Sequence, residues 1–115
     1  MFSNSNDEID VGKGKFVMID FDHTFSLAPK LFQKIWLMFE GAGFQVRCCT
    51  ARSLDCGNDD IYEFIKPEHV IFCEGEQKQV FIKEHLGIES QDVAFWIDDC
   101  PENIPPLGLL SFEVD

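Results

Sequence analysis

The chain has 115 residues, 45% of them hydrophobic, which is enough to bury one core and predicts a single domain. Its 21 acidic and 9 basic side chains give a net charge of -12, which argues against a broad surface for duplex nucleic acid, because such surfaces neutralise phosphates with Lys and Arg. The first residues lack the basic start and apolar run of a secretory signal, and no later stretch has the length of a membrane span, so we expect a cytoplasmic protein without a membrane partner.

Strand-like and helix-like segments alternate along the chain after a polar tail at residues 1–14. Residues 15–20 form a short apolar run, which predicts the first strand. Pro29 suits the first turn of a helix, and apolar side chains follow at helical spacing until Gly41 and Gly43 stop the pattern. The first helix is therefore predicted between Pro29 and these glycines.

The rest of the chain continues this alternation. Asp59 or Asp60 is placed to cap a short second helix, and Gly87 is placed to end a longer third one. Strands that alternate with helices imply right-handed crossovers and a parallel sheet covered on both faces. The predicted fold class is α/β, a three-layer Rossmann-like sandwich of four or five parallel strands, formed by residues 15–115 as one domain. The remaining predicted elements are strands at 44–49, 69–73 and 92–97, helices at 61–66 and 74–87, and a candidate fifth strand at 107–114.

The cysteines bear on the cellular compartment. There are five of them, an odd number, and Cys48 and Cys49 are adjacent inside the second predicted strand. The sequence contains no Cys-x-x-Cys pair of the kind that binds zinc. This pattern favours buried free thiols in a reducing compartment over a disulfide framework or a metal site.

Polar side chains follow three of the predicted strands, at the edge where open parallel sheets bind their ligands. Four carboxylates would then share one crevice and repel each other unless a cation or shared protons offset their charge. All-oxygen ligation suits Mg²⁺, which also binds phosphate oxygens of its substrates. The pattern therefore indicates a metal-assisted phosphate site, although a single Asp after a strand is most often a turn former or a helix cap. The strand-end residues are Asp20, Asp22, Thr50, Arg52, Asp98 and Asp99.

These residues also carry a family resemblance. The segment DFDHT resembles the Asp-x-Asp-x-Thr first motif of the haloacid dehalogenase (HAD) superfamily, and CCT, ending at Thr50, resembles the second motif. Lys78 lies where the third-motif lysine is expected, and WIDDCPENI resembles the acidic fourth motif. The resemblance covers nearly the whole chain after the tail and implies a HAD-like fold. The spans from Thr24 to Thr50 and from Thr50 to Lys78 are consumed by core elements, so no cap domain is expected.

The resemblance implies a phosphomonoester hydrolase that works through an aspartyl-phosphate. Asp20 would be the nucleophile, and Asp22 would be the general acid and then the general base. Thr50 would donate a hydrogen bond to the phosphoryl oxygens. Lys78 would offset negative charge, with Lys83 as the alternative lysine. Because alternate residues of an extended chain lie on one face, we expect the carboxylates of Asp20 and Asp22 to meet one phosphate.

The same resemblance implies that the cofactor is Mg²⁺. Its ligands would be Asp20, the backbone carbonyl of Asp22, and Asp98, and Asp99 would help directly or through water. The charge of the ion lets an anionic carboxylate approach an anionic phosphate.

The candidate substrate-binding residues are His23, Thr24 and Arg52. His23 stands where the family commonly has Gly, so it crowds the entrance, contacts the substrate or simply fills space. The segment TAR resembles the Thr/Ser-Gly-Arg motif in the phosphatase domain of polynucleotide kinase-phosphatases, which would make Arg52 a contact to a second phosphate or to the substrate. A solvated loop arginine is an equally good interpretation of Arg52.

The partner implied is a phosphorylated substrate: a nucleotide, a nucleic-acid end or a phosphoprotein. Family members without a cap have open sites or borrow a lid from another subunit, so a monomer and a lid-supplying dimer both stay open. Two other functions also stay open, a non-catalytic metal-binding regulatory module and a phosphotransferase. A dehalogenase is a weaker interpretation because it would not need Asp22.

Overall fold

A computed structural model describes residues 14–105 of the chain, and the candidate fifth strand at 107–114 lies outside the described residues. Four strands are present in the described part, each ending within one residue of its predicted bounds. Three helices and three short 3₁₀ helices connect them, and a fourth 3₁₀ helix follows the last strand. The strands are β1 (Phe16–Ile19), β2 (Gln45–Thr50), β3 (Val70–Phe72) and β4 (Val93–Ile97), and the helices are α1 (Pro29–Gly41), α2 (Asp59–Tyr62) and α3 (Lys78–Leu86).

The four strands form one sheet in the order β3-β2-β1-β4, and all neighbouring strands are parallel. The chain moves outward from β1 to β3 and then crosses to the other side of β1 to form β4. In open sheets of this kind, ligands bind beyond the carboxyl ends of the strands at the point where the order reverses. The α/β prediction is confirmed. The topology predicts a ligand site at the carboxyl ends of β1 and β4.

Strand β1 is buried on both faces of the sheet. Val17 and Ile19 belong to a core cluster that includes Trp36 of α1, whereas Met18 belongs to a second cluster with Ile82 of α3. Successive side chains of a strand point to opposite faces, so α1 and α3 pack on opposite sides of β1. The packing of β1 on both faces thus holds in place the polar residues that follow it.

Helix α1 has the predicted bounds. Pro29 occupies its first turn, where a missing backbone N–H costs nothing. Trp36 is buried against the core, and Phe32 and Phe39 pack beside it at helical spacing. None of the helices in the described part, 14–105, has the length and apolar character needed to cross a membrane.

The starts of the other two helices differ from the predictions. Helix α3 begins at Lys78 rather than at residue 74, because Glu74 and Gly75 have φ values of 53° and 82° and form a turn. Helix α2 runs from Asp59 to Tyr62 and not over 61–66. The prediction that Asp59 or Asp60 caps it is therefore wrong: both lie in its first turn, and Asn58 occupies the cap position.

The cysteine prediction is confirmed for three of the five thiols. Cys48, Cys49 and Cys73 are buried, whereas Cys56 is exposed and Cys100 is half-buried. The sulfur atoms of Cys49 and Cys73 lie 3.4 Å apart without a disulfide. Burial raises the pKa of Cys48 well above its ordinary value, so the buried thiols serve as small apolar core residues.

Candidate functional site

Two carboxylates meet one buried lysine at the carboxyl ends of β1 and β4. The backbone N–H of Asp20 donates to the carbonyl of Ile97 at 2.9 Å, so the β1–β4 ladder continues one residue past β1 and brings Asp20 close to the end of β4, where Asp98 follows. Lys78 Nζ donates to Asp20 Oδ1 at 2.9 Å and to Asp98 Oδ2 at 2.5 Å. The second oxygen of Asp98 accepts the backbone N–H of Cys100 at 2.9 Å. Both carboxylates are therefore fixed in position.

The burial of this group shifts its proton equilibria. Burial raises the pKa of Asp20 to about 6, and the Lys78 ammonium offsets part of that rise. Burial alone would lower the pKa of Lys78, but the hydrogen bonds to Asp98 and Asp20 outweigh it and raise the pKa. Lys78 therefore stays charged at neutral pH, and it supports the ionised form of Asp20.

Thr24 connects this group to Asp99. Its hydroxyl lies 3.3 Å from Asp20 Oδ2 and 3.2 Å from Asp99 Oδ1, and it accepts the backbone N–H of Asp99 at 3.2 Å. One hydroxyl hydrogen serves one carboxylate at a time. Thr24, a predicted substrate contact, is buried and bonded within the protein, so its hydroxyl links the loops after β1 and β4.

Three of the four predicted metal residues come together. One carboxylate oxygen from each of Asp20, Asp98 and Asp99 lies within 4.8 Å of the others. The carboxylate of Asp22 is not part of this group, and Arg52 binds both of its oxygens. The ligand predicted at Asp22 is its backbone carbonyl, and that role stays a prediction. A second acidic group, on the exposed surface, consists of Glu76, Glu84 and His85.

The Arg52 guanidinium lies between Asp22 and Asp60. Arg52 Nε and Nη2 donate to Asp22 at 3.0 and 2.7 Å. Nη1 and Nη2 donate to Asp60 at 2.8 Å each, and Nη1 also lies 3.4 Å from Asn58 Oδ1. The guanidinium carbon stands 5.4 Å from the centre of the Phe21 ring. All five N–H groups of Arg52 thus have a partner.

The chain turns directly after Asp20, which corrects one prediction. The backbone N–H of Thr24 donates to the carbonyl of Phe21 at 3.2 Å, so Asp22 lies in a turn and not in an extended segment. The prediction that extended geometry places Asp20 and Asp22 on one face is therefore wrong. His23 has a φ of 61°, a conformation that favours Gly, and its side chain is exposed.

Two predicted residues remain, Thr50 and Lys83. Thr50 is fully buried at the end of β2, where its hydroxyl accepts the backbone N–H of Arg52 at 3.2 Å. Lys83 is exposed and lies 3.7 Å from Glu89. Of the two lysines considered, Lys78 is the one that contacts Asp20.

Two cavities border these elements. An open groove of about 560 Å³ lies beside Arg52 and Asp60. Another cavity, of about 580 Å³, lies against α1 and is lined by Trp36, Phe64 and His69 among others. The carboxylates at the ends of β1 and β4 do not line that second cavity, so it belongs to a different part of the surface.

The sequence analysis missed the roles of Asn58 and Asp60 beside Arg52. An Asn followed by two Asp residues is typical of a helix start, and the spacing from Arg52 carries no further signal. Their contact depends on the path of the loop between β2 and α2. Asn58 fixes that path, because its Nδ2 donates to the carbonyls of Ser53, Leu54 and Cys56 at 3.2, 3.3 and 2.9 Å.

Comparison of the chain with known protein families, with curated proteins and with solved structures found no match. The functional assignment therefore depends on the geometry of the site and on its motifs.

Proposed function

We propose that this protein is an Mg²⁺-dependent phosphomonoester hydrolase with a capless, HAD-like Rossmann fold, acting through an aspartyl-phosphate on Asp20. The contact of Lys78 with both Asp20 and Asp98 at the ends of β1 and β4 carries this proposal. A buried carboxylate, a buried cation and a second carboxylate at the reversal of strand order suit phosphoryl transfer, in which positioning and charge supply most of the catalysis.

The donor set of the site fits Mg²⁺. Asp20, Asp98 and Asp99 offer three carboxylate oxygens in one group, and hard oxygen ligands are those that Mg²⁺ prefers. Burial raises the pKa of Asp20 to about 6, and a divalent cation would favour its ionised, nucleophilic form. When bound, the ion supplies charge neutralisation for an anionic substrate.

The side chains divide the chemistry among them. An oxygen of Asp20 attacks phosphorus, and the bond between phosphorus and the leaving oxygen breaks. Asp22 gives its proton to that leaving oxygen, and afterwards takes a proton from the water that hydrolyses the aspartyl-phosphate. Lys78 neutralises charge on Asp20 and on the transferring group, and the Thr50 hydroxyl donates to a phosphoryl oxygen.

The surroundings of the site support an open enzyme. The connections between Thr24, Thr50 and Lys78 consist of core helices, strands, short turns and the loop at 51–58. A site without a cap accepts a large phosphorylated substrate or takes a lid from a partner subunit. The charge of -12 disfavours long nucleic acid and is compatible with a nucleotide, a nucleic-acid end or a phosphoprotein.

A phosphatase screen tests the proposal. We expect wild-type protein to hydrolyse p-nitrophenyl phosphate with Mg²⁺, to lose this activity with EDTA, and to prefer one class among nucleotides, sugar phosphates, nucleic-acid ends and phosphopeptides. Asp20→Asn should be inactive, and Asp92→Asn, in the 3₁₀ helix before β4, should keep activity. The absence of Mg²⁺-dependent turnover on every class, or equal turnover by Asp20→Asn, would contradict the proposal.

One observation favours a second candidate, a non-catalytic metal-binding regulatory module. Arg52 binds both oxygens of Asp22, and an acid-base residue must be able to exchange protons with substrate. The module would bind Mg²⁺ without turnover. Stabilisation by Mg²⁺ in a protein that hydrolyses none of the four substrate classes would favour it over the enzyme.

A further inference from the structure

We propose that Asp60 is a positioning residue for the reaction: it holds Arg52 so that Arg52 fixes the carboxylate of Asp22. This inference rests on the proposed function, because it assigns Asp60 a part in orienting the general acid. Asp60 does not touch the Asp20 and Lys78 group, and it acts through Arg52.

The hydrogen bonds of Arg52 define two edges of the guanidinium plane. The edge formed by Nε and Nη2 binds Asp22, and the edge formed by Nη1 and Nη2 binds Asp60. Both contacts are bidentate, an arrangement that fixes the plane as well as the distance. Asp60 thus determines the rotation of the plane that Asp22 meets.

The supports of Arg52 explain why Asp60 is needed. An arginine side chain has about 2 kcal/mol of rotamer entropy to lose when it is fixed. The Phe21 ring lies near one face of the guanidinium. A contact with an aromatic ring does not prevent the guanidinium from rotating about the axis perpendicular to its plane. Asn58 contributes one long contact of 3.4 Å. Apart from the bonds to Asp22 itself, the two short bonds to Asp60 are the contacts that oppose this rotation.

Asp22 needs an external support because it lies in a turn. It stands beside His23, whose φ is 61°, and its side chain is about half exposed. Arg52 supplies a bond to each of its oxygens. A displacement of about 1 Å in a reacting group can cost about 10²-fold in rate. Loosening Arg52 should therefore slow the step in which Asp22 gives its proton.

The leaving group reveals whether Asp60 acts through Asp22. An aryl phosphate leaves readily as an anion, whereas an alkyl phosphate needs the proton, which is worth about 10² to 10⁴-fold in rate. In single-turnover measurements we expect Asp60→Asn to slow phosphorylation by an alkyl phosphate by about tenfold, and by p-nitrophenyl phosphate by no more than about twofold. Asp59→Asn is the matched control, because it removes the same charge one residue away and should change neither rate.

A second readout needs no turnover. The Arg52 Nε–H donates to Asp22 at 3.0 Å, and its signal in a ¹H–¹⁵N spectrum, assigned with Arg52→Lys, reports on that bond. We expect Asp60→Asn to shift or broaden the signal and Asp59→Asn to preserve it, while both variants keep the dispersed backbone spectrum of the folded protein.

The two readouts separate failure of this inference from failure of the proposed function. An unchanged Nε–H signal in Asp60→Asn would overturn the inference, whether or not the protein is an enzyme. Equal slowing of the alkyl and aryl substrates would also overturn it, since Asp60 would then affect the phosphate and not the proton. A changed signal in a protein without turnover would leave Asp60 as the support of Arg52 and would contradict only the enzymatic proposal.

Discussion

The site contains two groups with the same charge pattern and different burial. In the inner triad, Lys78 binds Asp20 and Asp98, and in the outer triad, Arg52 binds Asp22 and Asp60. Each places one cation between two carboxylates. The side chains of the inner triad are 2%, 9% and 2% exposed, and those of the outer triad are 21%, 47% and 55% exposed, in the order given.

The difference in burial separates the tasks of the two triads. Water does not solvate the charges of a buried ion pair, so each charge is stabilised mainly by its partner. Pairs near the surface lose little when they open. In the proposed reaction, the inner triad therefore suits charge stabilisation at the phosphate, and the outer triad suits orientation of the general acid.

The largest expected effect comes from removing the inner cation. Lys78→Met leaves Asp20 and Asp98 as buried carboxylates without their partner, a change that typically costs about 3 to 5 kcal/mol of unfolding free energy. Denaturant unfolding at a pH well above 6, where Asp20 is ionised, measures it. Lys83→Met is the control and should change the unfolding free energy by less than about 0.5 kcal/mol. A similarly small loss of unfolding free energy in both variants would show that burial does not make the ion pairs of Lys78 stronger than those of a surface lysine.

Metal binding is the next largest effect and should depend on the inner triad. A ligand at ten times its dissociation constant stabilises the native state by about 1.4 kcal/mol, so millimolar Mg²⁺ should raise the melting temperature. Asp98→Asn should lose most of this rise. Glu84→Gln, in the exposed acidic group, should keep it. Loss of the rise in Glu84→Gln but not in Asp98→Asn would place the metal elsewhere.

Removing the outer cation should cost less than removing the inner one. Arg52→Met keeps a long apolar stem over Phe21 and leaves Asp22 and Asp60 in contact with water. We expect a loss of about 1 kcal/mol or less in unfolding free energy, together with a large loss of phosphatase activity. A stability loss equal to that of Lys78→Met would remove the distinction between the triads.

The smallest effect concerns the turn that joins the triads. His23 adopts a φ of 61°, and such a conformation costs a residue other than Gly about 1 kcal/mol. His23→Gly should raise the unfolding free energy by about 0.5 kcal/mol, because the added freedom of Gly in the unfolded chain offsets part of the gain. His23→Ala keeps the strained conformation and is the control. Stabilisation by Ala as large as that by Gly would show that the histidine side chain, and not the backbone, is the cause.

The sequence predicted the inner triad better than the outer one. Asp20 and Asp98 follow buried strands, and a parallel sheet brings such ends together without reference to loops. Lys78 was predicted as the third-motif lysine from its place in the motifs. The turn at Glu74 and Gly75 precedes helix α3, which begins at Lys78. The residues of the inner triad could therefore be predicted because strands and a helix start position them.

The outer triad depends on irregular structure, which periodicity does not describe. Asp22 lies within a turn and directly before His23, whose φ is positive. The loop after β2 folds around Asn58 to bring Asp60 to Arg52. Neither path follows from hydrophobic spacing. Backbone hydrogen bonds close the turn at Asp22, and side-chain hydrogen bonds from Asn58 to loop carbonyls set the path after β2. The prediction of an extended Asp-x-Asp segment was wrong for the same reason.

The central claim is that Asp20 is the nucleophile, and beryllium fluoride tests it most directly as a mimic of a phosphoryl group on a carboxylate. With Mg²⁺ and beryllium fluoride, ¹⁹F NMR of wild-type protein should show protein-bound fluoride signals. Asp22→Asn should keep these signals, because its carboxylate does not attack phosphorus, and Asp20→Asn should lose them. Bound signals of equal intensity in Asp20→Asn, or their absence from the wild type, would contradict the account.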